Sequence, residues 1–236
     1  MISGLAPARL LAVWEAGLSR HPVDRALLLA AVAAPEVPAE RLADQPLGWL
    51  NQRLVAWRAQ LFGARLEALV DCPACGERME FELGPETYPP VPERFEAVEV
   101  AGRRFALPTP RHLAGATGAG GADTTAQLLL RACAEAPEAL PEDRAELLTL
   151  LAEVGERMDE ADPWADLALA LVCPACGEAF GAHLDPAEIL WEELAVQAGA
   201  LLDDVHALAR AYGWREPEIL ALSAARRAAY LARIGT

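Results

Sequence analysis

The hexapeptide CPACGE occurs twice in this chain of 236 residues, at Cys72–Glu77 and again at Cys173–Glu178. The sequence contains only one other cysteine, Cys133. Two cysteines separated by two residues can direct both sulfur atoms at one metal ion, and the glycine that follows permits the tight turn that this needs. The repeated hexapeptide therefore predicts that two distant parts of the chain meet in the folded protein.

Each copy is predicted to lie between two β-strands. After the first copy, Met79, Phe81 and Leu83 alternate with glutamates, as in a half-buried strand. The copies start 101 positions apart, and the same offset aligns their flanks. It places Leu66, Val70, Gly76, Phe81 and Leu83 over Leu167, Leu171, Gly177, Ala182 and Leu184. We therefore predict two equivalent hairpins, over residues 65–84 and 166–185.

Four cysteine thiolates fill the tetrahedral shell that Zn²⁺ prefers at structural sites. The spacing thus predicts a zinc ribbon, with one structural zinc ion per chain. Its predicted ligands are Cys72, Cys75, Cys173 and Cys176. Two disulfides or a redox-active dithiol are the alternatives, although no thioredoxin-like pattern surrounds either copy. A catalytic zinc would need an open coordination position, which four cysteines leave no room for.

The gap between the two cysteine turns is far longer than in an ordinary zinc ribbon. It spans 97 residues, from Gly76 to Val172, where about 15–20 residues are usual. We therefore predict an inserted mixed or helical unit over residues 85–165. Such an insertion costs little, since each doubling of a loop's length adds only about 0.6 kcal/mol to the free energy of closing it.

Within the insertion, "FEAVEVAGRRFALPTP" is typical of a hairpin, turning at Ala101–Gly102. The glycine-rich residues 115–123 lack the Gly-Lys-Ser/Thr ending of a phosphate-binding loop and are predicted to form a plain loop. Asp123 or Thr124 is expected to cap the helix that contains Cys133, with this cysteine as a small buried hydrophobic residue. Asp159 and Asp162–Pro163 are interpreted as marking a turn after a further amphipathic helix.

Helical periodicity dominates the two ends of the chain. Residues 1–64 are predicted as an N-terminal helical segment, with helices that begin at Pro7 and Pro22 and a third that stops at Gly63. Residues 186–236 are predicted as a C-terminal helical hairpin, in which a long helix ends at Gly213 and a last one is capped by Ser223. The predicted fold class is α+β, mostly helical.

The composition argues against several classes of function. The net charge of −15 opposes binding to nucleic acid, which requires a basic face. No apolar run is long enough for a bilayer span, and the first residues lack the pattern of a secretion signal. We therefore expect a cytoplasmic protein with reduced thiols, no membrane and no nucleic acid as partners. The four histidines are scattered outside any catalytic signature, so we expect neither an enzyme nor a small-molecule substrate.

Four further segments carry a family resemblance. They are "LPTPRHL" at Leu107–Leu113, "ILWEEL" at Ile189–Leu194, "VHALARAYGWREPEIL" at Val205–Leu220 and "LSAARRAAYL" at Leu222–Leu231. Together with the two cysteine turns, they resemble the T-even-phage-type baseplate hub assembly proteins and their relatives in phage-tail-like contractile injection systems. The resemblance covers most of the chain and is weakest over residues 85–160. The T-even relatives need not carry both cysteine turns, so the injection-system branch fits better.

The resemblance implies a non-enzymatic structural or chaperone-like role in the baseplate of a contractile tail, with hub, spike or other baseplate proteins as partners. Such a protein would work in the cytoplasm and could enter the assembled particle. The alternative from another class is a zinc-ribbon protein that binds nucleic acid or takes part in transcription. The segment "YGWREPEILALSAARRAAYLARI" at Tyr212–Ile234, called the C-terminal block, is expected to pack back onto the long helix, and also to present Arg226, Arg227 and Arg233 to a partner.

Overall fold

The computed structural model describes residues 4–118 and 120–234, which are mostly helical and contain three small antiparallel hairpins. The coarse fold class predicted from the sequence is thereby confirmed. The helices are α1 (Pro7–Gly17), α2 (Pro22–Ala33), α3 (Ala39–Leu42), α4 (Leu47–Phe62), α5 (Pro110–Ala116), α6 (Ala122–Cys133), α7 (Arg144–Ala161), α8 (Pro186–Tyr212), α9 (Glu216–Leu220) and α10 (Ala224–Leu231). The strands are β1 (Leu66–Asp71), β2 (Arg78–Leu83), β3 (Val98–Val100), β4 (Arg103–Phe105), β5 (Leu167–Val172) and β6 (Ala179–Leu184). Short 3₁₀ turns lie at Pro85–Thr87 and Pro137–Ala139.

The main hydrophobic core joins the two ends of the chain. Helices α1, α2 and α4 pack against α8, although more than a hundred residues separate α4 from α8 in sequence. Leu29, Leu54, Leu190 and Leu194 are fully buried in this core. Burying one leucine side chain stabilises a fold by roughly 1.5–3 kcal/mol, so the N-terminal and C-terminal helices stabilise each other.

The insertion has a second core of its own. Strands β3 and β4 form a short hairpin that lies against α7, with α6 beside them. Val98, Phe105, Leu150 and Val154 are buried at the centre of this cluster. The β3–β4 hairpin turns at Ala101–Gly102 as predicted, and both turn residues have a positive φ.

Most predicted helix ends coincide with the observed ones, because each is determined by local chemistry. Pro7 and Pro22 occupy the first turns of α1 and α2. Gly213 ends α8 in the left-handed conformation, and the Ser223 side chain accepts a hydrogen bond from the backbone of α10. Although α8 is 27 residues long, no helix in the described ranges is long and apolar enough to cross a membrane.

Three local features differ from the sequence predictions. Helices α3 and α5 were not predicted, and both are short. Helix α5 takes in Gly115 and Ala116 from the predicted glycine-rich loop, and it is started by the Thr109 side chain, which accepts from the backbone of His112. The predicted cap of α6 at Asp123 or Thr124 is wrong, since Gly121 is the capping residue. Helices this short depend on packing against neighbours, which periodicity does not reveal.

The C-terminal block packs back onto α8, with Ile219 fully buried. The prediction that Arg227 points outward is wrong. Its side chain is 8% exposed, and its Nε donates a 2.8 Å hydrogen bond to Asp204 Oδ2 on α8. Its neighbour Arg226 is exposed. A single step along α10 therefore separates an arginine that belongs to the core from one that faces solvent.

Helix α4 anchors the start of the first cysteine hairpin through Arg58. The Arg58 Nη1 donates to the carbonyls of Gly63 and Arg65 at 2.8 and 2.7 Å. Its Nε and Nη2 donate to the two carboxylate oxygens of Glu193 on α8 at 3.0 and 2.6 Å. The guanidinium is mostly buried, and it donates hydrogen bonds to two carbonyls and one carboxylate at the point where α4, β1 and α8 meet.

The same helix anchors the start of the second cysteine hairpin at its other end. Asp162 is 1% exposed, and its Oδ2 accepts a 2.9 Å hydrogen bond from the backbone N–H of Gly48 in the first turn of α4. The Asn51 side chain donates to the Trp164 carbonyl at 2.9 Å. Asp162 begins a turn, as its sequence context suggested, whereas Asp159, which was predicted to mark the same turn, lies inside α7. The Asp162 carboxylate also caps a helix 114 residues away.

We predict that Gly48→Ala destabilises the fold, because an added Cβ would lie 1.7 Å from Asp162 Oδ1. Overpacking of this kind costs about 1–3 kcal/mol, and the cap of α4 would be displaced as well. The matched control is Gly199→Ala within α8, where no atom lies within 4 Å of the added Cβ. That control should stabilise the fold by about 0.5–1 kcal/mol. Urea unfolding of both variants measures the difference, and equal stabilities would contradict the role of Gly48.

Candidate metal centre

The two CPACGE segments form the turns of two matching hairpins, β1–β2 and β5–β6. In the first, the Cys72 N–H donates to the Glu77 carbonyl and the Gly76 N–H donates to the Cys72 carbonyl, both at 2.9 Å. The second hairpin repeats both bonds, at 2.8 and 2.9 Å. Gly76 and Gly177 have φ values of +74° and +77°, which only glycine adopts without strain. Identical sequence therefore produces identical turn geometry.

The structure brings the four predicted ligands, Cys72, Cys75, Cys173 and Cys176, together in one cluster. Their Sγ atoms all lie within 4.8 Å of one another. The short distances link the two hairpins, at 3.7 Å between Cys72 and Cys176 and 3.6 Å between Cys75 and Cys173. A disulfide would need about 2.05 Å between the sulfurs, so these cysteines are unbridged.

The sulfur spacing fits a metal ion bound by four thiolates. With metal–sulfur bonds of about 2.3 Å, as for zinc, the edges of a tetrahedron of sulfurs measure about 3.8 Å. The two short distances of 3.7 and 3.6 Å are close to this value. The first cysteine of each turn is buried and the second is exposed, so the two hairpins contribute equivalently. The cluster can therefore bind a metal ion of zinc's size, with all four positions supplied by protein.

The thiols of this cluster differ in acidity. The backbone N–H of Cys176 and, more weakly, that of Ala175 lower the pKa of Cys173 to about 7, against the opposing effect of burial. The backbone N–H of Glu77 lowers the pKa of Cys75, but the neighbouring sulfurs, with Cys176 foremost, and burial raise it overall to about 12. Four adjacent thiols cannot all ionise without a cation, because like charges disfavour one another. Binding of a metal ion would therefore release protons.

Each hairpin also carries an ion pair at its base, at equivalent positions of the repeat. Arg65 pairs with Glu82 in the first hairpin, and Asp166 pairs with His183 at 2.8 Å in the second. The hydrogen bond from Asp166 raises the pKa of His183. His183 is an exposed strand residue, as its position in the repeat suggested, and it is not part of the sulfur cluster. The repeat thus preserves the pairing while it exchanges the position that carries the carboxylate.

The fifth cysteine is buried in the insertion, outside the metal cluster. The Cys133 Sγ lies 3.5 Å from His112 Nδ1, a contact that no motif in the sequence indicates. A nucleophilic cysteine needs a lowered pKa. Burial instead raises the pKa of Cys133 to about 11, and it lowers the pKa of His112. The pair is therefore a neutral hydrogen bond inside the core, and it does not form an activated nucleophile.

Comparisons of the chain with protein-family models, with curated proteins and with solved structures found no match. What the chain's own residues provide is a four-thiol cluster on two anchored hairpins. Sequence reasoning identified the cysteines but missed Arg58 and Asp162, which hold the hairpins in place. The only sequence signal for the role of Arg58 was its position beside the apolar stripe of α4. The sequence around Asp162 indicated a turn and gave no sign of its hydrogen bond to α4.

We predict that Cys173→Ser lowers both the metal content and the melting temperature, because the binding free energy of such a site is part of the folding free energy. Cys133→Ala is the control for the loss of a buried sulfur: it should retain the metal and cost only about 1–2 kcal/mol through the small cavity that it leaves. Elemental analysis and thermal unfolding of the purified variants measure both effects. Loss of metal from the Cys133 variant, or its retention in the Cys173 variant, would contradict the assignment of the cluster.

Proposed function

We propose that this protein is a structural or chaperone-like component of the baseplate of a phage-tail-like contractile injection system, stabilised by one structural zinc ion. The observation that carries the metal part is the cluster of four sulfurs within 4.8 Å. The baseplate part rests on the family resemblance of the two cysteine turns and the four sequence segments described above. The protein would act in the cytoplasm, and in the particle if it stays bound after assembly.

Zinc is the metal that this donor set favours. Thiolate ligands select soft or borderline ions such as zinc over magnesium and calcium, which prefer oxygen. Four protein ligands leave no position for water or substrate, which is the arrangement of a structural site. The two hairpins would then form the halves of a zinc ribbon, with the insertion between them.

The segments that carry the resemblance supply structural contacts, which supports a shared architecture. Trp191 and Leu194 of "ILWEEL" are buried in the main core, and Glu193 of the same segment pairs with Arg58. In "LPTPRHL", the Pro108 carbonyl accepts a hydrogen bond from the backbone N–H of Leu47 at the start of α4. Residues with these roles keep a fold intact, so a family that shares the fold would be expected to share the segments.

The proposal assigns no catalytic residues. Cys133 and His112 are a cysteine and a histidine in contact, but burial keeps both neutral, so they do not form an activated nucleophile. A zinc-ribbon protein for nucleic acid is the weaker candidate, since the net charge is −15 and the buried Arg227 is already paired with Asp204. An interaction protein needs neither a catalytic site nor a basic face.

Elemental analysis of the purified protein is expected to give about one zinc per chain, because four thiolates fill one tetrahedral site. Removal of the metal by a chelator should lower the melting temperature, and added Zn²⁺ should restore it. The Cys133→Ala variant should show the same stoichiometry. A metal-free preparation with an unchanged melting temperature would contradict the structural zinc.

Deletion of the gene in the strain that encodes this protein is expected to abolish assembled contractile particles, as judged by electron microscopy. Complementation with the unaltered chain should restore them. The Cys173→Ser variant should fail to do so at temperatures where its fold is lost. Normal particles in the deletion strain would contradict the baseplate role, whatever the metal content of the protein.

A further inference from the structure

The charge of the chain is distributed unevenly between its two parts. After residue 204 there are five arginines and only two acidic residues, Glu216 and Glu218, which gives a net charge of +3. Residues 1–204 carry 15 arginines and 33 acidic residues, a net charge of −18. Residues 205–236, which contain the C-terminal block, are therefore a locally basic region of an acidic protein, and their net charge is still +2 when Asp204, the partner of Arg227, is counted with them.

An aromatic cluster lies on this basic block. The ring of Trp214 stacks on Tyr212 with the centroids 4.8 Å apart, and Tyr230 from α10 meets both rings edge-on. Tyr212 is 38% exposed, while Trp214 and Tyr230 are half-buried. The three rings hold one another rigidly, and part of their surface stays open to solvent.

Two arginines flank Tyr230 in the sequence. Arg226 precedes Tyr230 by four residues within α10, a spacing that places side chains on one helix face, and Arg233 lies in the turn that follows α10. Both are exposed, and the Arg233 guanidinium donates to the Ala229 carbonyl. The Arg226 side chain has no ion pair within residues 4–118 and 120–234. We call these five residues, Tyr212, Trp214, Arg226, Tyr230 and Arg233, the arginine–aromatic surface.

We infer that the arginine–aromatic surface docks a carboxylate-bearing segment of a partner protein. Tryptophan, tyrosine and arginine are the residues that dominate binding energy at protein interfaces. Exposed guanidiniums attract carboxylates, and because salt screens charges beyond about 8–10 Å, a short acidic segment is little repelled by the acidic residues farther away on this chain. Only the identity of the partner as a baseplate protein rests on the proposed function.

Nucleic acid fits this surface less well, although aromatic rings and arginines can bind it. Contacts to phosphates supply most of the affinity for nucleic acid, and residues 205–234 present only four exposed arginines for them: Arg210, Arg215, Arg226 and Arg233. The remaining net charge of −18 would also repel a polyanion. A protein segment with a few carboxylates avoids both problems.

The structure provides a variant that reverses the charge without harming the fold. Arg226 is the third residue of α10, and the helix is capped by Ser223, which accepts from the Arg226 backbone N–H. Arg226→Glu therefore creates the Ser-x-x-Glu capping box, which favours the start of the helix. Arg144→Glu is the matched control, because Arg144 is also exposed in the first turn of a helix with a side-chain cap. Both changes alter the net charge equally.

The test places the photo-crosslinking residue p-benzoylphenylalanine at exposed Ala229, beside the surface, in the full chain within producing cells. The control position is exposed Ala152 on α7. Mass spectrometry of the product identifies the crosslinked segment. We expect the crosslinked segment to be rich in Asp or Glu. The crosslinking yield should fall roughly tenfold with Arg226→Glu, because charge reversal turns attraction into repulsion. It should stay unchanged with Arg144→Glu. Crosslinking in lysate should also weaken as salt is raised.

Each other outcome overturns the inference. These are a crosslink to nucleic acid, to lipid, to a second copy of the chain or to a segment without carboxylates, an equal yield with Arg226→Glu, or no crosslink above that from Ala152. An acidic partner that is absent from contractile particles would uphold the docking surface and contradict the proposed function. The opposite result is that particles require the protein but form normally with Arg226→Glu, while Ala229 gives no crosslink. That result would uphold the proposed function and contradict the docking surface.

Discussion

The rest of the structure depends on helix α4, to which both cysteine hairpins are attached. One end of α4 holds Asp162 and Trp164 through Gly48 and Asn51, just before the second hairpin begins. Near its other end, Arg58 holds the carbonyls that precede the first hairpin. Because one rigid element positions both starting points, cysteines 101 positions apart in the sequence can meet at a single site.

This arrangement turns the insertion into a tethered unit. It has its own hydrophobic core around Phe105 and Val154, and it leaves and re-enters the main body next to the two hairpins. A metal ion at the sulfur cluster would close the long loop between the hairpins, which stabilises the folded state mainly by restricting the unfolded one. Without a cation the clustered thiols resist ionising together, so the site is expected to contribute fully to the free energy of folding only when a metal ion is bound.

The proposed function uses surfaces in place of a catalytic centre. The C-terminal block is basic while the rest of the chain is acidic, and the aromatic rings of Tyr212, Trp214 and Tyr230 add apolar area at this end of the chain. Arg227 stabilises that end by its bond to Asp204, and its neighbour Arg226 is left exposed. Adjacent residues of one short helix therefore differ in environment, since Arg227 belongs to the core and Arg226 lies on the surface that is proposed to dock a partner.

The sequence by itself determined the features whose causes are local. The repeated hexapeptide dictated two identical turns, the alternation after the first copy and the offset of the repeat indicated the strands that flank them, and Gly213 and Ser223 determined where helices end and begin. Tertiary structure alone decided the features that need a distant partner. Arg58 became a clamp and Asp162 a helix cap because residues 135 and 114 positions away come within hydrogen-bond distance. Arg227 turned inward for the same reason, since a buried guanidinium is tolerated only beside a carboxylate, and no local pattern specifies where that carboxylate will be.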